Sequence, residues 1–74
     1  MKYLKDTKYL TEFGKHLRFV RKSKGFSQEK LANEVGIEIS QISRIERGIT
    51  NTSISTVHRI ALSLNIETKE LFSF

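Results

Sequence analysis

Between Glu38 and Gly48 the chain reads EISQISRIERG, and most of its polar side chains are hydrogen-bond donors suited to an anion or a nucleobase edge. Arg44 carries a planar fork that matches two adjacent acceptors, as guanine O6 and N7 are, and Gln41 can form a similar two-bond pair with adenine. Ile39 offers the apolar contact that suits a thymine methyl, and Ser40 and Ser43 add short hydroxyl donors. Arg47 suits a phosphate. Yet Glu46 stands between the two arginines, where a carboxylate would repel a polyanion.

Helical geometry resolves the conflict. At about 100° per residue, with Ile42 set inward, Ile45, Glu46 and Ile49 project to the same side. Ser40, Arg44 and Arg47 project to the opposite side, and Gln41 and Ser43 lie on the flanks. An inward carboxylate needs a partner, because burying it unpaired is costly. The candidate is Arg21, which falls beside the apolar face of an earlier helix.

The elements that position these residues follow from apolar spacing and from where breaks are possible, since the chain has no proline and only four glycines. A first helix is expected over about residues 9 to 24, with Phe13, Leu17 and Val20 on one face and Thr7 or Thr11 as its N-cap. Gly25 ends it. Ser27 then caps a short second helix from Gln28 to Val35, although Lys30 stands where a full capping box would have Glu or Gln. Gly36 permits a left-handed turn. The third helix spans about 38 to 47 and Gly48 closes it. A polar connector, Ile49 to Ser53, leads to a fourth helix built on Ile54, Val57, Ile60, Ala61 and Leu64, with Asn65 as its stop. A short fifth helix spans about 68 to 72. No strand alternation persists, so the expected fold is all-α, compact and five-helical.

The second and third helices together satisfy the steric demands of a helix-turn-helix. Ala32 falls where the helices cross closely, Gly36 is the turn, and Leu31, Val35, Ile37, Ile42 and Ile45 are the apolar residues that lock the pair. In this docking the start of the second helix lies against the phosphate backbone and the third helix enters the major groove. Gln28 is therefore expected to donate to a phosphate.

The stretches FGKHLRFVRKSKGFSQEKLANEVGI, SQISRIERG and STVHRIALSLNI resemble the phage repressor and Cro type of helix-turn-helix domain, the XRE group of compact bacterial regulators. The resemblance implies a five-helix, lambda-repressor-like domain over residues 9 to 74 that binds double-stranded DNA and regulates transcription. It further implies a homodimer on a roughly palindromic operator, and a pair between the Arg21 and Glu46 positions. Relatives often carry longer or basic side chains at the positions of Ile39 and Ser40 and in the connector, where Asn51 and Thr52 are neutral donors here. Specificity is thus expected to lean on Arg44, Gln41 and DNA shape. The same resemblance extends to antitoxins, whose main target is a protein such as a toxin, and to restriction-modification controller proteins.

Eight of the 13 Lys and Arg residues fall in the first 26 positions, with only Asp6 and Glu12 against them, and the net charge is +5. This asymmetry points to an anionic partner, nucleic acid ahead of a membrane surface. Lys15, Arg18, Lys22 and Lys24 are expected to supply salt-sensitive, non-specific affinity. Residues 1 to 8 form a basic arm or extend the first helix. Phe19 lies off the core face, either covered by Tyr3 and Leu4 or placed for another chain. At the C-terminus Leu71, Phe72 and Phe74 are expected, with part of the fourth helix, to form the dimer interface.

Catalysis and cofactors find little support. There is no cysteine, His16 and His58 lie on separate helices without ligand spacing, and Ser55 beside His58 lacks a third group. No metal, cofactor or small-molecule effector is expected. No apolar run reaches the length of a membrane span, and a soluble, cytoplasmic protein is the expectation.

Overall fold

The computed structural model describes residues 5 to 74. Four α-helices and a C-terminal 3₁₀ helix follow in order: α1 Thr7–Ser23, α2 Gln28–Val35, α3 Ile39–Glu46, α4 Ile54–Ser63, then the 3₁₀ helix Thr68–Phe72. The fifth element is thus not an α-helix. Of the residues read above as an arm or helix extension, Thr7 and Lys8 are the first turn of α1, while Tyr3 and Leu4 lie outside the described residues.

α1 begins two residues before the expected start because Asp6 caps it. Its Oδ1 accepts the Tyr9 N–H at 3.0 Å, and Asp is a stronger N-cap than Thr. The Thr11 hydroxyl instead donates to the Thr7 carbonyl inside the helix, at 2.9 Å. Ser27 caps α2 by accepting the Lys30 N–H at 3.0 Å, and Ser53 caps α4 by accepting the Thr56 N–H at 3.1 Å. Glu38 is the residue before α3, not its first turn, and makes no side-chain capping bond. The 3₁₀ helix has a capping box instead, with the Glu67 N–H donating to Glu70 Oε2 at 2.8 Å.

Gly36 has φ +88° and sends its N–H to the Ala32 carbonyl at 2.8 Å. That left-handed step turns the chain from α2 into α3 at an angle that a residue with a Cβ would strain. α2 and α3 then pack on each other, α1 packs on α3, and α4 lies against α2. Leu17, Leu31, Val35, Ile42, Ile60 and Leu64 meet in one core and are almost wholly removed from solvent.

Leu71 belongs to the same core and is 0% exposed. It therefore has no surface to offer a partner, and the expectation that it lies in a dimer interface gives way to an anchoring role for the 3₁₀ helix. Phe72 and Phe74 remain about half exposed and lay their rings against α1. Phe72 lies 5.0 Å from the Phe13 ring and Phe74 lies 5.2 Å from the Tyr9 ring.

Both histidines are tied to the C-terminal segment. His16 Nε2 is 2.9 Å from the Glu70 carbonyl; since a carbonyl only accepts, Nε2 carries the proton. His58 Nδ1 lies 3.3 Å from the Thr68 hydroxyl. Their placement gives each a structural use. No helix among the described residues is long and apolar enough to cross a membrane.

Candidate nucleic-acid interface

The orientation of α3 is fixed from behind. Arg21 Nε donates to Glu46 Oε2 at 2.5 Å and Arg21 Nη2 donates to Glu46 Oε1 at 3.1 Å, a two-bond pair with both residues 6% exposed. The guanidinium also donates from Nη1 to the Phe26 carbonyl at 2.7 Å. The Gln28 side-chain amide donates to Glu46 Oε1 at 3.0 Å. Four segments are thereby joined: α1, the loop after it, the first turn of α2 and the last turn of α3. Every buried side-chain N or O atom among the described residues has a hydrogen-bond partner, which a buried ion pair requires if it is not to destabilise the fold.

Gln28 consequently has a structural contact that the sequence did not show. Its Nε2 donates one N–H to Glu46 and keeps a second donor, so the side chain braces the ion pair and can still reach a phosphate beside the backbone N–H groups of the α2 start. The sequence showed Gln28 one residue after a cap, which favours solvent. What turns it inward is the unused acceptor capacity of Glu46, visible only once α2 and α3 are docked.

A second constraint on α3 was not legible as a site. Gly14, buried in the middle of α1, leaves no room for a Cβ, which would lie 2.4 Å from the carbonyl oxygens of both Ile45 and Glu46. Gly48, with φ +74°, approaches α1 from the other side, where a Cβ would lie 2.6 Å from the Thr11 Cα. The backbones of α1 and the α3 terminus are thus in direct contact around Thr11, Gly14, Ile45 and Gly48. A glycine inside a helical pattern costs about 1 kcal/mol relative to alanine, and that cost was the available signal.

With the inner face so held, Ser40, Gln41, Arg44 and Arg47 are exposed, Ile39 is 47% exposed, and Ser43 is half-buried on the flank. Arg47 follows the last residue of α3 and donates from Nε to the Ser43 carbonyl at 3.3 Å, using one of its five N–H groups. The structure brings Gln41 together with the connector: Gln41, Thr50, Thr52 and Thr56 border a hollow of about 100 Å³. Asn51 is exposed beside Thr52. Lys5 Nζ donates to the Ile49 carbonyl at 2.7 Å, binding the segment before α1 to the start of that connector. Sequence reasoning did not find this contact, because a lysine at the chain start carries no local sign of its distant acceptor. Among the described residues no cluster of His, Cys, Asp or Glu has the arrangement of a metal site.

The exposed face of α3 therefore presents hydroxyl, amide and guanidinium donors in one strip of about two turns, backed by a rigid, fully paired interior. That is the arrangement by which a helix reads base edges while its neighbours contact phosphate.

Comparison with known proteins places this geometry in a family. The family described as "Helix-turn-helix domain" matches residues 14–73. The HTH-type transcriptional regulator SlrR of Bacillus subtilis (strain 168) is 42% identical over 60 residues, covering 80% of this chain but only 40% of its own length. The crystal structure of the restriction-modification controller protein C.AhdI from Aeromonas hydrophila superposes with a TM-score of 0.83 at 43% identity, covering 85% of this chain and 96% of that one. The structure of SinR, the master regulator for biofilm formation, in complex with DNA superposes with a TM-score of 0.75 at 32% identity, covering 82% and 98% of the two chains. The chain belongs to the helix-turn-helix domain family, of the phage repressor and Cro (XRE) type.

Proposed function

We propose that the protein is a sequence-specific, double-stranded-DNA-binding transcriptional regulator that acts as a homodimer on a roughly palindromic operator. The observation that carries this reading is the division of α3 into a locked inner face and an outer face whose Ser40, Gln41 and Arg44 side chains are exposed to solvent. The SinR complex supports it, since a similar fold there binds DNA. Ile39, Ser40, Gln41, Ser43 and Arg44 face the base edges. Gln28, Arg47, Asn51, Thr52 and the N-terminal backbone of α2 meet phosphates. Nothing in this role calls for catalysis, a metal or a cofactor.

The dimer is assigned to the end of the domain where apolar side chains remain uncovered. Ile54 is 86% and Leu62 63% exposed on α4, with Phe72 nearby, and Phe74 sits at the rim. A largely apolar groove of about 250 Å³ between α1 and α4 is lined by Tyr9, Phe13, Ile54, Val57 and Phe72. Groove and protruding Ile54 lie on one patch, which is what a self-complementary two-fold contact needs. The likeness to C.AhdI supports a more specific version, in which the regulated genes are those of a restriction-modification system.

Arg44→Ala tests the readout. It is expected to lose about 1–3 kcal/mol of discrimination at one base position per half-site, measured by competition among operators substituted at each position. Arg47→Ala, by contrast, is expected to weaken all sequences alike and lower the salt slope by about 1. A uniform loss for Arg44→Ala contradicts its assignment to a base.

A further inference from the structure

We propose that the outer face of α1 is a docking site for an acidic protein segment bearing an apolar side chain, with Phe19 as anchor and Lys15, Arg18 and Lys22 as its charge partners. The residues assigned above to base edges and to phosphates of the operator include none of these four, and the salt-sensitive DNA affinity expected of Lys15, Arg18 and Lys22 from charge alone is the competing use of this face. On the helical wheel Gly14 and Arg21, which meet the end of α3, lie about 140–160° from Phe19. Phe19 therefore points away from the recognition helix, with Lys15 about 40° and Lys22 about 60° from it, while Arg18, about 100° from Phe19 and about 40° from Gly14, lies on the edge nearer α3.

Phe19 is 68% exposed. A lone exposed phenylalanine is ordinary, but this one has a built surround. Lys15 and Lys22 stand one turn before and after it, at the i−4 and i+3 positions that share its face, and Arg18 adjoins them. All three are exposed, and the ion pairs among the described residues are Arg21 with Glu46 and Lys69 with Glu67, so none of the three has a carboxylate partner there. On the other side the His16 ring stacks on Phe19, with centroids 6.2 Å apart and planes 23° apart. His16 is itself held by its bond to the Glu70 carbonyl and by Phe74, 5.7 Å away. The anchor ring is thus supported before any partner arrives, which reduces the ordering cost of binding. Glu12, two turns earlier on the same strip, sets the N-terminal limit of the patch.

The chemistry of this face selects the occupant. A phosphate backbone engages the three cations but leaves the ring in water. A second copy of the same face sets lysine against lysine. An acidic segment with an apolar side chain satisfies both parts at once, burying Phe19 at the centre and pairing the cations around it, the arrangement of an interface hot spot.

The test uses the full chain and a synthetic amphipathic peptide with leucines along one edge and glutamates along the other, followed by amide chemical shifts. Saturable shifts centred on Lys15 to Ser23 are expected. Affinity is expected to fall about tenfold in Phe19→Ser with the thermal midpoint unchanged, and further in the Lys15→Glu, Lys22→Glu double variant. Polyglutamate of equal charge is expected to bind more weakly, and the DNA-bound protein is expected to bind the peptide as well as the free protein does. Three results overturn the proposal. Equal affinity of Phe19→Ser or polyglutamate reduces the site to charge alone; displacement of the peptide by duplex DNA assigns the face to phosphate; loss of the dimer in Phe19→Ser on sedimentation assigns it to a second copy.

Discussion

Glu46→Ala is expected to cost about 3–5 kcal/mol of folding stability, because it leaves the Arg21 guanidinium charged and buried without its counter-ion. The carboxylate accepts three hydrogen bonds, two from Arg21 and one from Gln28. Of these donors only Gln28, which is half-buried, can readily turn to water. Marginal stability of about 0.05–0.15 kcal/mol per residue is usual, so the loss removes a large part of what a domain this small possesses. At about 4–8 °C per kcal/mol for domains of this size, the thermal midpoint falls by at least about 12 °C. Arg21→Met combined with Glu46→Leu is expected to recover most of the loss, since an apolar pair of similar volume replaces a buried ion pair at little cost. If Glu46→Ala melts with the wild type, the pair does not hold α3.

Gly14→Ala is expected to destabilise by about 2–3 kcal/mol, read as a shift in the denaturant midpoint with the slope unchanged. On an exposed helix the same change would stabilise by up to about 1 kcal/mol, so the sign itself is diagnostic. The added methyl meets two backbone oxygens at 2.4 Å, and backbone cannot rotate aside as a side chain can. α1 must lift from the end of α3, which places the cost at the upper range for over-packing. Gly25→Ala provides the contrast. A Cβ there meets nothing within 4 Å, and only its φ of +77° is unfavourable, so a loss of about 1–2 kcal/mol is expected. A stabilised Gly14→Ala variant means that the α1 to α3 contact is looser than drawn.

Much of this architecture was legible because local rules and global packing agree. Ser27, Gly36 and Asn65 are cap and turn residues that perform those roles; Asn65 has φ 57°. The inward Glu46 was readable from the wheel of α3 alone, and Arg21 from its position beside an apolar face. What escaped depends on contacts between elements. Gln28 turns to Glu46, the Phe26 carbonyl meets Arg21, and Gly14 admits α3, and none of these follows from spacing within one helix. The C-terminal apolar run was ambiguous for a different reason. The 3₁₀ helix is only five residues long and ends at Phe72, too short for spacing alone to define an inward face, so which of Leu71, Phe72 and Phe74 points inward depends on how the segment docks against α1 and α4. Docking buries Leu71 and leaves the two phenylalanines at the surface.

In the proposed function the outer face of α3 reads sequence and does so twice, across a two-fold axis. Selection of bound duplexes from a random pool tests it most directly. Enrichment of two inverted half-sites with centres about one helical turn apart is expected, each with a guanine that becomes dispensable in Arg44→Ala. Recovery of no preferred sequence, or of a single unrepeated site that Arg44→Ala leaves unaltered, contradicts it.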